Sequence, residues 1–346
     1  MPVKVSAPGK VHLVGEHAVV YGEPAIMAAV GLRTYVDAER ERGSVIVEDF
    51  QRKFKAKWDL KGVLDFSEEA RKIWESGAGK KPADFSGLFS FVKGDDFKKA
   101  VIGTTLSKLG IMEGVKVRIT SEIPTGSGLG SSSALSVAIV KAVSEAYGKK
   151  LPLEKINEIA FGCEQLAHGM PSGGDNSTCC FGGLIWFQKD IKTGKFIIKS
   201  LRKEVPYEMK EFVLVYTGKP EKTTGELVQQ VRMHEPEFRD PRIKRIGEIT
   251  REMLGALKER DSEGIKSLIN EDWTLLRDFG LSTPTADKLI EKIKSMGGAA
   301  KLCGACGGGM MLAYHEDLDR LKKAIKSEGF DPMEVKLGVE GVRVEK

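Results

Sequence analysis

The stretch Pro124-Thr125-Gly126-Ser127-Gly128-Leu129-Gly130-Ser131-Ser132-Ser133-Ala134 runs a glycine-rich turn directly into small and apolar residues. Glycines at 126, 128 and 130 let the backbone take conformations that a β-carbon forbids, and leave room for a ligand to lie against the amides. Ser131, Ser132 and Ser133 follow where a helix begins. They offer N-cap hydroxyls beside the unpaired N–H groups and the positive end of the helix dipole. The combination predicts an anion site with phosphate as its natural guest. It is not a Walker A loop, because serine and not lysine follows the last glycine, and it is not the dinucleotide fingerprint G-x-G-x-x-G with an acidic partner about 20 residues on.

Working outward, 346 residues suit two domains of ordinary size, and 41% apolar with 30% charged residues is the balance of a folded chain. The net charge of +5 is spread over 54 basic and 49 acidic residues without a basic block, which argues against nucleic acid as a partner. No apolar run reaches the roughly 18 residues of a membrane span, and Met-Pro-Val-Lys-Val-Ser-Ala has no signal-peptide core, so a cytoplasmic protein with no membrane partner is expected. The five cysteines, an odd number, include the adjacent Cys179 and Cys180 and are read as reduced thiols. Cys303 and Cys306 spell C-x-x-C, but no second ligand pair follows at zinc spacing.

The first 50 residues alternate as strands, with Val3, Val5, Val11 and Leu13 on one face of the first. Residues 51–82 read as a hairpin and a surface excursion. A helix is expected over Phe97–Leu109, a strand over Val115–Ile119, and a helix buried nearly all round over Ser131–Tyr147. Leu153–His168 reads as a second helix, with Leu153, Ile156, Ala160, Cys163 and Ala167 as its core stripe and Glu164 off that stripe. Strands at Gly182–Phe187 and Phe212–Tyr216 bracket a polar segment read as the domain joint. Helices follow over 226–260, 262–279 and 285–296, then a strand-loop-strand unit over Lys301–Tyr314, a helix over Leu318–Ser327 and a terminal strand. The irregular alternation predicts an α+β fold in two domains.

Lys10 and His12 share one face of the first strand, with Gly15-Glu16-His17 in the turn beyond. Taken singly, Lys10 fits a solvated surface lysine, Glu16 a turn carboxylate, and His12 and His17 either hydrogen-bonded structural residues or functional ones. The run Cys163-Glu164-Gln165-Leu166-Ala167-His168-Gly169-Met170-Pro171-Ser172-Gly173-Gly174-Asp175-Asn176 places one carboxylate on a helix and another on a glycine-proline loop. Phosphoryl transfer separates two such duties, holding a divalent cation and orienting the acceptor hydroxyl. Magnesium takes one or two protein oxygens besides phosphate and water, a demand that Ser132 and Glu164 meet.

In order along the chain, Pro8-Gly9-Lys10 through Pro24-Ala25, then Gly126–Ser133, then Lys301-Leu302-Cys303-Gly304-Ala305-Cys306-Gly307-Gly308-Gly309 resemble the three motifs of the GHMP kinases. These are the kinases of galactose, homoserine, mevalonate and phosphomevalonate. Gly15-Glu16-His17-Ala18-Val19-Val20-Tyr21-Gly22 and His168-Gly169, Pro171-Ser172-Gly173, Asp175-Asn176 resemble the mevalonate-phosphorylating branch. The resemblance implies an N-terminal domain over 1–190 similar to ribosomal protein S5 domain 2, a ferredoxin-like C-terminal domain over 191–346, and an active site in the cleft between them. It implies ATP and Mg²⁺, with Asp175 and Lys10 catalytic and Gly126, Ser127, Gly128, Leu129, Gly130, Ser131 and Ser132 on the phosphates. Ser132 and Glu164 would hold the metal, Glu16, His17 and Thr224 would contact the acceptor, mevalonate, and a homodimer is possible. A phosphomevalonate kinase or another small-molecule kinase of the fold is the alternative, and a non-catalytic metabolite sensor a distant one. Leu135 departs from the tyrosine that animal members carry in the acceptor pocket, and Cys303 and Cys306 replace a threonine and a glycine of the third motif.

Overall fold

A computed structural model describes residues 2–124 and 126–346; Met1 and Thr125 lie outside the described residues. Among these the chain forms β1 (Val3–Val14), β2 (Pro24–Glu41), β3 (Ser44–Asp49), β4 (Phe54–Asp59), α1 (Leu60–Ala78), α2 (Ser86–Phe91), α3 (Asp96–Leu109) and β5 (Gly114–Ser121). Then come α4 (Ser131–Ala146), α5 (Leu153–His168), α6 (Gly174–Phe181), β6 (Leu184–Lys189), β7 (Phe196–Ser200) and β8 (Met209–Tyr216). The chain continues through α7 (Thr224–Arg232), α8 (Pro236–Glu259), α9 (Ser262–Asp278), α10 (Pro284–Ser295), β9 (Ala299–Leu302), β10 (Met310–Tyr314), α11 (Leu318–Ser327), β11 (Pro332–Leu337) and β12 (Arg343–Val344).

The long strand β2 organises the sheet, which runs β4-β3-β5-β2-β11-β8-β10-β9. β1 lies antiparallel along nearly all of β2, with register shifts at Pro8/Gly9 and His12/Val14 that bend it where Lys10 and His12 sit. β6 pairs with the start of β2 and β5 with its end, while β3 and β5 run parallel. The last strand, β12, returns to pair with β1.

Helix α4 has Ala134, Val137, Ala138, Ile139, Val140, Ala142 and Val143 buried, as its all-round apolar sequence requires. It packs between β1 and β2 on one side and α5 and α6 on the other, so the loop before it is anchored to the main core. A second core forms under α8 to α11, around Trp273, Phe279, Leu289 and Met311. Burying this apolar surface on both sides of one sheet fixes the relative positions of α4, α5 and β9.

Several elements differ from the sequence expectation. The helix expected over 226–260 is two, α7 and α8, since Pro236 opens a new helix at the first turn of α8. The polar segment read as the domain joint holds β7, which pairs with β6. The excursion over 51–82 contains the helix α1, capped by the Asp59 carboxylate accepting from the Gly62 amide at 2.7 Å. Its apolar side buries Val63 and Ala70 against α3 and its other side is charged. Asp175, expected on a loop, lies in the first turn of α6, where Gly173 in the left-handed region starts the helix. A helix N-terminus suits a carboxylate electrostatically, and the short run of small residues Asn176–Cys180 buries against α4 and α5. Among the described residues no helix is long and apolar enough to cross a membrane.

Candidate active site

The glycines of the quoted stretch do adopt left-handed backbone, with φ of +73° at Gly126, +78° at Gly128 and +71° at Gly130. Ser127 closes the turn by donating to the Pro124 carbonyl at 2.7 Å. Leu129 is buried in the main core and its carbonyl accepts from the Lys10 amide at 2.9 Å, tying the loop to β1. A β-carbon on Gly130 would lie 2.8 Å from Lys10 Cγ, and one on Gly9 2.9 Å from the Leu129 carbonyl oxygen. Glycine at both positions therefore lets the loop rest directly on the Lys10 stem.

The serines behave differently from the expectation of side-chain caps. The N-cap of α4 is Gly130 and no side chain caps the helix. Instead Ser132 and Ser133 donate to Glu164 Oε2 at 3.1 and 2.6 Å, and Ser136 donates to Oε1 at 3.0 Å. A buried carboxylate competes better for these hydroxyls than exposed amides do, because its own desolvation is otherwise uncompensated. Glu164, expected off the core stripe of α5, is buried against α4, since α5 is covered on more than one face. Burial pushes its carboxyl above the ordinary range, against the pull of His168 and the serines. His168, one turn later, brings Nε2 to 3.2 Å from Ser132 Oγ.

Across a cavity of about 520 Å³ from this group, Lys10 Nζ lies 3.2 Å from Asp175 Oδ2. Lys10 is almost wholly buried while Asp175 is 41% exposed, so the carboxylate is the accessible member of the pair. Asn176 fixes the first turn of α6 by donating to the Asn157 side-chain oxygen on α5 at 2.7 Å. The same cavity is lined by Gly126, Gly128, Gly130, Ser131 and Ser132, and by Glu16, His17 and Thr224. Ser127 and Leu129 stand behind that wall and support it. Leu135 packs on the main core and is not among the lining residues.

Glu16 and His17 follow the end of β1. His17 adopts φ +59° and donates from Nε2 to the Ala305 carbonyl at 3.0 Å, so the third motif closes over the first. Burial lowers its pKa and leaves a neutral ring. Glu16 is held from behind by Lys301, a fully buried ammonium that also lies 3.0 Å from Asp272 on α9. Burial alone depresses Lys301, but Asp272 and Glu16 outweigh it and hold the ammonium above its usual range. Burial pushes the Asp272 carboxyl up to about 7. Neither Lys301 nor Asp272 stands out in sequence as an ionic residue of the site, because Glu16 is 285 residues from Lys301. The serine cradle carries a signal that the cap reading passes over: Ser132 and Ser136, like Glu164 and His168, stand one turn apart on one face of their helix.

The five cysteines are free, and burial pushes the Cys303 thiol up to about 12, so the C-x-x-C pair is protonated packing. Among the described residues no group of three or more His, Cys, Asp or Glu side chains is arranged to hold a metal. Ser132 Oγ and Glu164 Oε2 do form an oxygen-only pair, 3.1 Å apart, in the cavity wall beside the loop. Hard oxygen donors in that number suit a magnesium ion that draws its remaining ligands from phosphate and water.

Residues 96–183 match the family described as GHMP kinases N terminal domain, and residues 253–329 that described as GHMP kinases C terminal. The chain is 35% identical to the mevalonate kinase of Thermococcus sibiricus, over all of this chain and 99% of that one. It is likewise 35% identical to the mevalonate kinase of Thermococcus gammatolerans, over the same shares of each. The crystal structure of the Methanococcus jannaschii mevalonate kinase superposes with a TM-score of 0.79 at 27% identity, covering 97% of this chain and 98% of that one.

Proposed function

The chain belongs to the GHMP kinases, with their two-domain fold, and we propose that it is a mevalonate kinase, transferring the γ-phosphoryl group of ATP to the primary 5-hydroxyl of mevalonate to give 5-phosphomevalonate. One observation carries this reading: the 3.2 Å Lys10–Asp175 pair faces the same cavity as a glycine loop at the N-terminus of α4.

The backbone of 126–132, opened by three left-handed glycines at a helix start, is suited to hold the nucleotide phosphates. Asp175 orients the 5-hydroxyl and takes its proton as the new P–O bond forms and the bond to the ADP oxygen breaks. Because the transition state is loose, placing the hydroxyl contributes more than strong basicity does. Lys10 balances the Asp175 charge and stabilises negative charge on the phosphoryl oxygens as they transfer. Ser132 and Glu164 would hold Mg²⁺, which when bound neutralises charge across the β- and γ-phosphates. Glu16, His17 and Thr224 form the rest of the acceptor wall.

In this reading the chain divides into lobes 1–190 and 191–346, each holding one of the two family matches. Cytoplasmic residence and a homodimer belong to the same reading, the homodimer resting on the family resemblance. ADP release measured in a coupled assay against mevalonate, phosphomevalonate, homoserine and galactose tests it. Turnover of mevalonate in preference to the other three is expected; turnover of phosphomevalonate alone would replace the acceptor.

A further inference from the structure

His12 sits on β1 two residues beyond Lys10, so strand alternation places both side chains on one face, about 7 Å apart along the strand. It lies between the Lys10–Asp175 pair and the Glu16–His17 turn, and its ring forms part of the cavity wall. Among the described residues the ring makes no hydrogen bond to protein, and Nδ1 is sealed from solvent without a partner. Buried polar atoms in folded proteins are nearly always bonded, so an orphaned ring in the wall of a substrate cavity marks a place reserved for a ligand group. A hydrogen-bonded structural histidine, the bland reading of this residue, would show the partner that is missing here.

The chemistry of the ring narrows that group. Burial, then the charges of Lys10 and Lys301, push the imidazole well below its usual pKa, so it is neutral. A neutral imidazole presents one N–H donor and one bare nitrogen acceptor and supplies no charge. Nδ1 is closed off, so a ligand can meet the ring only at Nε2, and a hydroxyl pairs with that nitrogen in either tautomer, whereas a carboxylate, which only accepts, pairs with one. With the reacting hydroxyl fixed at Asp175, the hydroxyl that remains is the one on the acceptor's third carbon.

We propose that His12 is a specificity-determining residue of the acceptor subsite, hydrogen-bonding the non-reacting 3-hydroxyl of mevalonate. The inference rests on the acceptor reading above and adds to it the group by which mevalonate is told from a plain ω-hydroxy acid.

The test compares mevalonate with its 3-deoxy analogue, 5-hydroxy-3-methylpentanoate, in wild-type enzyme and in His12→Leu. The wild-type enzyme should favour mevalonate in kcat/KM by about tenfold or more, since loss of one such hydrogen bond leaves a buried group unpaired. In His12→Leu that preference should collapse to within about twofold, through a higher KM for mevalonate and with the KM for ATP unchanged. A preference that survives in the variant overturns the assignment, as does an equal loss for both acceptors. Should the variant fail to fold, imidazole ¹⁵N resonances of the wild-type protein decide: His12 should shift with saturating mevalonate and not with the analogue, and an unmoved His12 refutes the proposal. Wild-type enzyme that does not turn over mevalonate overturns the acceptor reading and this inference together, whereas turnover with an unchanged ratio overturns only the role of His12.

Discussion

Replacing Lys301 by methionine removes the ammonium from between Glu16 and Asp272 while keeping the length of the side chain. All three groups are at most 1% exposed, so no water replaces the lost charge. Two bare carboxylates cannot stay ionised together at that depth, and the variant must fold with both protonated. Asp272 already sits at about 7, so its protonation costs little at neutral pH. Glu16 supplies most of the deficit. Protonating a carboxyl with an ordinary unfolded pKa of about 4.3 costs about 1.4 kcal/mol for each pH unit above that value. The deficit is therefore about 4 kcal/mol at pH 7 and about 1 kcal/mol at pH 5. The sign follows from linkage: a carboxyl raised in the folded state contributes stability that is complete below its unfolded pKa and lost as pH rises through the folded one. Urea unfolding of both proteins at pH 5, 6 and 7 measures the difference. A deficit that does not change with pH, or one below about 1 kcal/mol at pH 7, would refute the picture of Lys301 as the sole counter-charge of a buried carboxylate pair.

Three further outcomes are expected. Asp272→Asn leaves a neutral Glu16–Lys301 pair, so its stability at pH 8 should match or exceed that of wild type, whereas at pH 4 the advantage should vanish, read by the same unfolding curves. Gly130→Ala must place a β-carbon against the Lys10 stem in left-handed backbone, which should cost about 1–2 kcal/mol and lower kcat by more than about tenfold by displacing Lys10 from Asp175. Ser133→Ala removes the 2.6 Å donor to Glu164 and should destabilise the fold by about 1.5–3 kcal/mol in thermal or urea unfolding.

The parts of this architecture that were legible in sequence are those where local chemistry and tertiary role agree. The run from Gly126 to Ala134 announces a turn and a buried helix, and α11 falls on Leu318–Ser327 because its apolar residues recur at helical spacing. Where packing overrides local preference, sequence gives less. The short glycine-rich start of α6 looks like a loop until it is buried against α4 and α5, and Ser131–Ser133 look like caps until a buried carboxylate claims two of their hydroxyls. α1 gives little helical signal because its apolar side is narrow and set among charges. The partners Lys10 and Asp175 are 165 residues apart, and their pairing was read from family resemblance, since no spacing rule links them. Lys301 and Asp272 had no such help: a lysine opening a strand motif and an aspartate in a helix look like surface residues until the fold seals them around Glu16.

The central claim is that Asp175, paired with Lys10, serves the acceptor hydroxyl and not the nucleotide. Steady-state kinetics of Asp175→Asn with mevalonate, together with titration of ATP or ADP binding to the same variant, test this most directly. A fall in kcat of about a thousandfold or more with nucleotide affinity within about threefold of wild type is the predicted result. Turnover within tenfold of wild type, or loss of nucleotide binding in step with activity, would contradict it.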